Sequence, residues 1–330
     1  MNTSKIPRVT ERLDAVNDVE ASIAHAATLL NAGGIVALPT ETVYGLAASA
    51  LDAEAVERIF AAKGRPADNP LIVHVADVAD VATVAVPDPL SMKILQAFAP
   101  GPITVVLPRI PGLPIAVTAG LETVAVRVPA HDVTREILRR TGPLAAPSAN
   151  RSGRPSPTTA DHVLEDLDGR INAVVDAGPC RQGLESTVIR VDDGSVTLLR
   201  PGALEATAIE TLIGARLRRA ADAEGGSPGM RHRHYAPSAP VMLCATVDEL
   251  LSLIRQSDRP VVLAHPDVVL PFDHRPLTAH NLYAELRLAD TMGADKILVL
   301  CDQNIVAQEA LWNRLRKAAE VTSDMMGEGT

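Results

Sequence analysis

Short apolar segments that stop at proline or glycine and pass at once into small polar and charged residues are the strongest constraint in this chain. Ile35 to Leu38 runs into Pro39-Thr40-Glu41-Thr42-Val43-Tyr44-Gly45-Leu46. The segment 144–147 runs into Ser148-Ala149-Asn150-Arg151-Ser152-Gly153-Arg154-Pro155-Ser156-Pro157-Thr158. The segment 196–199 ends at Arg200-Pro201-Gly202, and Leu71 to Val75 follows Ala62-Lys63-Gly64-Arg65-Pro66-Ala67-Asp68-Asn69-Pro70. Runs this short, bounded by turn residues, are strands rather than helices. Polar side chains set directly at strand ends can face a crevice, where open α/β sheets bind their ligands.

The same reading predicts strands at 103–107, 124–128, 172–175 and 187–191, and helices at 18–32, 53–62, 89–98, 131–140 and 158–166. Strands outnumber helices, so the expected fold class is α/β with a mixed sheet rather than a regular alternation. From Arg216 to Pro240 the chain turns rich in Gly, Pro, Arg and His, without a sustained apolar period, and reads as a linker. Beyond it, strands at 240–244, 260–264 and 296–300 alternate with helices at 247–256, 280–291 and 307–319. That alternation predicts a smaller parallel sheet of Rossmann-like type, here without a glycine-rich dinucleotide fingerprint. Arg314 and Arg316 on the last helix are expected on a solvated face.

Composition narrows the function. Of 330 residues, 47% are hydrophobic and 22% charged, the balance of a folded protein. A net charge of -9 argues against wholesale phosphate-backbone binding, and an aromatic content of 2% argues against a base-stacking surface, so no stable nucleic-acid binding is expected. The core must be built from Ala, Val, Leu and Ile. Cys180, Cys244 and Cys301 have no metal-site or disulfide spacing. No apolar run approaches a membrane span and no signal-peptide pattern opens the chain, which points to a cytoplasmic protein.

The familiar nucleotide and hydrolase motifs are absent: there is no GxxxxGK[ST], no HExxH and no GxSxG. Read alone, Thr40 to Leu46 is better explained as a strand–turn–helix cap than as a site. Lys63 and Arg65, two apart in an extended proline-flanked loop, can face one anion, but equally suit a solvated loop. Ser148 and Asn150 repeat that spacing, which tips their segment toward function. Small residues there let backbone N–H groups approach a phosphate. Ser186 opens one apolar strand and Arg200 closes another, with a surface ion pair the plain alternative. His232 and His234 lack local partners for a metal site, while Tyr235 is one of only three tyrosines. Tyr44, Tyr235, Phe60 and Phe98 fall in or beside segments of this kind, so the few rings are expected around the candidate pocket.

Taken together, LPTETVYGL, IFAAKGRPADNPLIVHV, FAPGPITVVL, VAVRVP, PSANRSGRPSPTTA and ESTVI closely resemble the YrdC/Sua family of L-threonylcarbamoyladenylate synthases in its long, two-domain form. The resemblance covers about 18–202 for the catalytic domain, and SPGMRHRHYAP and the C-terminal part extend it over nearly the whole chain. It implies a YrdC-like catalytic domain (1–217), a linker or lid (218–238) and a C-terminal Sua domain (239–330). The family's K-x-R and S-x-N signature falls on Lys63, Arg65, Ser148 and Asn150.

What the resemblance implies for function is specific. The enzyme would join L-threonine, bicarbonate and ATP into threonylcarbamoyl-AMP, releasing pyrophosphate. Its product would serve a tRNA threonylcarbamoyl transferase complex acting on tRNAs that read ANN codons. Thr40, His74, Arg127, Ser186 and the backbone at Ala146 would hold threonine and its carbamate. Arg65, Asn69, Thr123, Ser148, Asn150, Ser156 and Arg200 would hold ATP, with Tyr235 closing over the nucleotide and Lys63 and Arg65 acting in catalysis. Mg²⁺ would be carried by the ATP phosphates, not by side chains. Two other readings are a non-catalytic RNA-binding module of the same fold and another carbamoyl-adenylate former. The acidic charge weighs against the first. The second is opposed by the lack of added zinc-finger and acylphosphatase regions.

Overall fold

A computed structural model of the chain describes residues 9–220 and 235–319. These fall into two compact units: 9–152 with 156–220, and 153–155 with 235–319. Among the described residues no helix is long and apolar enough to cross a membrane.

The first unit runs β1 (Glu11–Asp14), α1 (Val19–Asn31), β2 (Val36–Leu38), β3 (Gly45–Ser49), α2 (Ala53–Lys63), β4 (Ile72–His74), α3 (Pro89–Phe98), β5 (Ile103–Pro108), α4 (Ile115–Thr118), β6 (Thr123–Arg127), α5 (Asp132–Thr141), β7 (Leu144–Ala145), α6 (Ala160–Leu167), β8 (Ala173–Asp176), β9 (Thr187–Asp192), β10 (Ser195–Arg200), α7 (Ala206–Ile213) and β11 (Arg218–Arg219). Its strands form one mixed sheet in the order β1-β8-β2-β3-β7-β4-β6-β5-β9-β10-β11. The expected mixed α/β sheet is therefore what the chain forms. Beyond the unexpected β1, α4, α7 and β11, Gly45–Ser49 departs from expectation: it is a strand antiparallel to β2, not the start of a helix. Its sequence, GLAAS, has none of the β-branched residues that announce a strand. Pairing and burial on both faces decide its conformation instead.

Strand side chains alternate between the two faces of a sheet. One face carries Ala37, Leu46, Val73, Ile103, Val105, Val124, Val126, Ala145 and Ile189 into the main aliphatic core. Tyr44 and Phe60 are buried in that core and Phe98 packs against it, so these rings fill the core. The other face carries two smaller clusters. Val36, Leu38, Ala47 and Leu144 lie under Ile23, Ala26 and Leu30 of α1 and Ile137 and Leu138 of α5. Val106, Ala125, Val188 and Leu199 form the other. Between those clusters, the same face carries polar side chains.

The second unit runs β12 (Val241–Cys244), α8 (Val247–Ile254), β13 (Pro260–Ala264), β14 (Arg275–Pro276), α9 (Leu282–Thr291), β15 (Lys296–Leu300), α10 (Gln303–Ala307) and α11 (Glu309–Ala318). Its sheet, ordered β12-β15-β13-β14, is parallel throughout, as the alternating pattern predicts. The helix expected at 307–319 is α11, and the short α10 precedes it. One face of α9 holds two segments of this unit. Tyr283, Arg287 and Asp290 stand at i, i+4 and i+7, the spacing of one helical stripe. Tyr235, with φ of 66°, stacks on Tyr283 at 5.5 Å. Asp290 accepts from the backbone N–H of Ser238 (2.9 Å) and Ala239 (3.1 Å), and Arg287 donates to Pro155 O (2.6 Å).

Arg314 overturns its expected place on a solvated face. It is fully buried, with its guanidinium 5.2 Å from the centre of the Tyr235 ring, whereas Arg316 is exposed. The reason is position: Arg314 stands three residues after buried Leu311 and four before buried Ala318, on the inward stripe of α11. Truncating a buried arginine strands its partners and opens a cavity. Arg314→Ala should lower unfolding free energy by about 3 kcal/mol in urea titrations, whereas Arg316→Ala should change it by no more than about 0.5 kcal/mol.

Candidate active site

The polar band on the sheet is built from strand register. His74 on β4 pairs with Arg127 on β6. Val105 on β5 pairs with Val126 on β6, and continuing that antiparallel register by one residue sets Thr104 opposite Arg127. Thr104 pairs with Val188 on β9, and Val188 with Arg200 on β10. One row of residues therefore crosses five neighbouring strands: His74, Arg127, Thr104, Val188, Arg200. At about 4.8 Å per strand spacing the row spans roughly 19 Å, the scale of a nucleotide plus a small second substrate.

A register shift between Leu198 and Arg200 marks a bulge in β10. Bulges re-aim side chains. Here Leu199 joins the Val106–Val188 cluster while Arg200, paired with Val188, reaches Ser186. Arg200 donates to Ser186 O (2.9 Å) and to its Oγ (3.2 Å), and Thr104 and Ser186 hydroxyls are 2.7 Å apart. Gly202 has to be glycine: an added Cβ would lie 2.3 Å from the Ser186 carbonyl carbon and 2.4 Å from Thr187 N. Ser156, fully buried, donates to Glu185 Oε1 at 2.6 Å.

The second group gathers at the end of α2. Gly64, at φ of 61°, takes the left-handed conformation that ends the helix without Cβ strain. Arg65 N then bonds Phe60 O (3.0 Å), so Lys63 closes the helix and Arg65 opens the loop. Lys63 Nζ donates to the carbonyls of Ser148 and Asn150, and Ser152 N returns a bond to Lys63 O (2.9 Å). Burial and the charge of Arg65 hold the Lys63 ammonium well below the ordinary lysine range, with Asp166 acting the other way. Arg65 donates to Asn69 O (3.3 Å) and Pro70 O (3.4 Å). The Asn150 side chain bonds Arg151 O (2.8 Å).

The third group sits around the ends of β2, β4 and β6. Thr40 is buried, its hydroxyl accepting from Thr42 N (3.1 Å) and Val43 N (3.2 Å) and lying 2.6 Å from Val43 O. Ala146 follows β7 and donates its N–H to Ile72 O at 2.9 Å. His74 is buried with no partner on Nδ1, and desolvation together with the charge of Arg127 lowers its pKa to about 3. It is therefore a neutral imidazole at neutral pH, with one ring nitrogen left for a ligand. Arg127 is buried against Glu41, Nη2 lying 2.7 Å from Oε1.

The sequence-derived residues thus form three local groups: Lys63, Arg65, Asn69, Ser148 and Asn150; His74 and Arg127 with Thr40 nearby in the fold; and Ser156, Ser186 and Arg200. Thr123 starts β6, at the strand's other end from Arg127. Tyr235 belongs to the second unit, where it is buried against Tyr283. Most of the expected lid, 218–238, lies outside the described residues, which stop at 220 and resume at 235. Three residues escaped the sequence reading: Thr104, Glu41 and Glu185. Thr104 had a signal, as the lone polar residue of ITVVL. Glu41 and Glu185 sat inside quoted strings, but their partners are distant in sequence.

The chemistry available is that of buried cations and aimed polar groups. Burial pushes the Cys180 thiol up to about 12, so it supplies no thiolate. Among the described residues there is no cluster of three or more His, Cys, Asp or Glu able to hold a metal. Lys63, Arg65, Arg127 and Arg200 suit one or two anions.

Comparisons with known proteins agree over most of the chain. Residues 28–202 match the Sua5/YciO/YrdC family model, described as "Telomere recombination". Residues 204–320 match a model described as the C-terminal domain of threonylcarbamoyl-AMP synthase. The threonylcarbamoyl-AMP synthase of Pyrococcus abyssi is 41% identical over 95% of this chain and 97% of its own length. That of Bacillus subtilis is 42% identical over 93% and 95%. A crystal structure of Pyrococcus abyssi Sua5 complexed with L-threonine superposes with a TM-score of 0.84 at 39% identity, covering 94% of this chain and 97% of that one. Escherichia coli YciO, at 19% identity and a TM-score of 0.55 over 61% of this chain and 98% of its own, shares the fold.

The neutral imidazole makes a pH prediction. In the unfolded chain His74 binds its proton near 6.5, but in the folded protein only near 3. Between those values the unfolded state holds more protons, so acid favours unfolding. Stability should fall as pH drops from 6.5 toward 3, and that part of the slope should vanish in His74→Gln, compared by urea titration across the range.

Proposed function

The chain belongs to the Sua5/YciO/YrdC family, and from that premise we propose that it is a threonylcarbamoyl-AMP synthase using L-threonine, bicarbonate and ATP. Its near-full-length similarity to synthases of that name supports the activity. The observation that carries the reading into this chain's own chemistry is the row of buried cationic and neutral polar groups across one face of the sheet, with no hydroxyl set against a histidine base as an activated nucleophile.

The reaction does not need one. The amine of threonine adds to bicarbonate with loss of water, giving a carbamate. A carbamate oxygen attacks the α-phosphorus of ATP, the bond to the bridging oxygen breaks, and pyrophosphate leaves. The nucleophile arrives already anionic. The protein must bring two anions together and stabilise charge on the leaving group.

In this assignment His74, Arg127, Thr40, Ser186 and the backbone at Ala146 take threonine and its carbamate. Arg127 would meet the carboxylate and the unpartnered Nδ1 of neutral His74 a hydrogen on the substrate. Arg65, Asn69, Thr123, Ser148, Asn150, Ser156 and Arg200 take ATP. Lys63 and Arg65 act on the phosphates, with Lys63 also fixing the Ser148–Asn150 loop through its two carbonyl bonds. Mg²⁺ would screen the phosphate charges, held by the phosphates themselves. The chain would act in the cytoplasm as a nucleotidyltransferase, and a tRNA threonylcarbamoyl transferase complex would consume the product.

The test is pyrophosphate release with ATP, labelled bicarbonate and single amino acids. Release should require threonine, label should enter an adenylate, and Lys63→Ala and Arg65→Ala should each cut kcat/KM by about 100-fold or more. Pyrophosphate release indifferent to threonine points to another carbamoyl-adenylate. Complete inactivity beside measurable RNA binding favours the non-catalytic reading.

A further inference from the structure

Buried polar atoms without a hydrogen-bond partner converge on one residue that the functional assignment leaves without a role. Glu41 is 2% exposed and its ion-pair partner Arg127 is 4% exposed. Glu41 Oε1 lies 2.7 Å from Arg127 Nη2, yet the contact is not aligned as a hydrogen bond: Glu41 Oε1, Arg127 Nη2 and Arg127 Nε make none. His74 Nδ1, on the residue paired with Arg127 in the sheet, makes none either.

The carboxylate itself is well fixed. Its Oε2 accepts from Ala130 N at 3.0 Å, and the Glu41 carbonyl accepts from Gln182 N at 2.8 Å. Ala130 is three residues beyond Arg127, so the chain that carries the arginine also anchors its counter-ion. An aligned pair would spend the guanidinium's donors on Glu41. Here attraction holds the cation in place while its N–H groups point elsewhere. Burying two charges is costly, and a packed apolar pair is often as stable. Stability alone therefore does not account for the pair.

We propose that Glu41 is a positioning residue for amino-acid recognition: it holds the Arg127 guanidinium with its N–H groups turned to the substrate carboxylate. The inference rests on the threonine role given above to Arg127. It adds a residue that sets affinity for the amino acid without touching it.

The experiment is a double-mutant cycle on the full chain, using Glu41→Gln, Arg127→Met and the two combined. KM for threonine and for ATP, kcat and the urea midpoint are measured for each. Glu41→Gln should raise the threonine KM about 10- to 100-fold, converting about 1.4 kcal/mol per tenfold step. The ATP KM and kcat should stay within about threefold. In the Arg127→Met background the same change should leave the threonine KM where it is. The combined variant should regain stability over either single one, since no buried charge is left alone, without regaining threonine affinity.

An unchanged threonine KM in Glu41→Gln overturns the proposal. So does a rise of both KM values in step with lost stability, or a restored threonine KM in the combined variant. If Glu41→Gln does not fold, Glu41→Asp keeps the charge but draws it back by one methylene, and should raise the threonine KM selectively by a smaller factor. An unaltered threonine KM there again overturns it. A wild-type chain without threonine-dependent pyrophosphate release instead overturns the functional reading on which the inference rests.

Discussion

The desolvation of several cations is the constraint around which the first unit is arranged. Lys63, Arg127 and Arg200 are each buried, at 3%, 4% and 6% exposure. A buried charge is tolerated only where it is paired or well hydrogen-bonded. The three solve the problem differently. Lys63 takes two carbonyls, Arg127 takes the carboxylate of Glu41, and Arg200 takes the carbonyl and hydroxyl of Ser186. Each solution ties a cation to a segment distant in sequence, so the pairings that make the charges affordable also assemble the site.

The sheet supplies the geometry for this. Because side chains alternate, the same strands that feed Val73, Val105 and Val126 into the main core must offer His74, Thr104 and Arg127 on the opposite face. The two aliphatic clusters on that face leave a gap, and the polar row fills it. A one-residue slip of β6 would move Arg127 into the core and Val126 into the band. The register is therefore protected by both faces at once.

Much of this was legible in the sequence, and the failures have physical causes. Strand ends were visible because proline and glycine punctuate them, and the polar strings beyond carried the family resemblance. The strand Gly45–Ser49 was not, because small residues give no strand signal and only pairing decides them. Thr104, Glu41 and Glu185 were missed because their partners, Ser186, Arg127 and Ser156, lie 82, 86 and 29 positions away. Arg314 was misplaced by residue type, although its spacing from Leu311 and Ala318 already put it on the inward stripe. Periodicity outranks side-chain chemistry when the two disagree, because the helix cannot rotate one residue out of its face.

The charge balance around His74 and Arg127 shows why pairing and binding are one problem. With Arg127 beside it and no solvent, His74 stays neutral, so this part of the row holds one cation and one anion, Arg127 and Glu41. An incoming carboxylate meets a cation whose own counter-ion is already fixed to Ala130 N and cannot swing away. On the proposed assignment it would bind the unused N–H groups rather than displace Glu41. The same logic runs through Lys63, whose carbonyl partners belong to the Ser148–Asn150 loop. A cation already paired with a carboxylate attracts a phosphate weakly, whereas one held by carbonyl dipoles brings no counter-ion to compete with it. Burial is thus met by carbonyl dipoles at Lys63, by the carbonyl and hydroxyl of Ser186 at Arg200, and by a fixed counter-charge at Arg127.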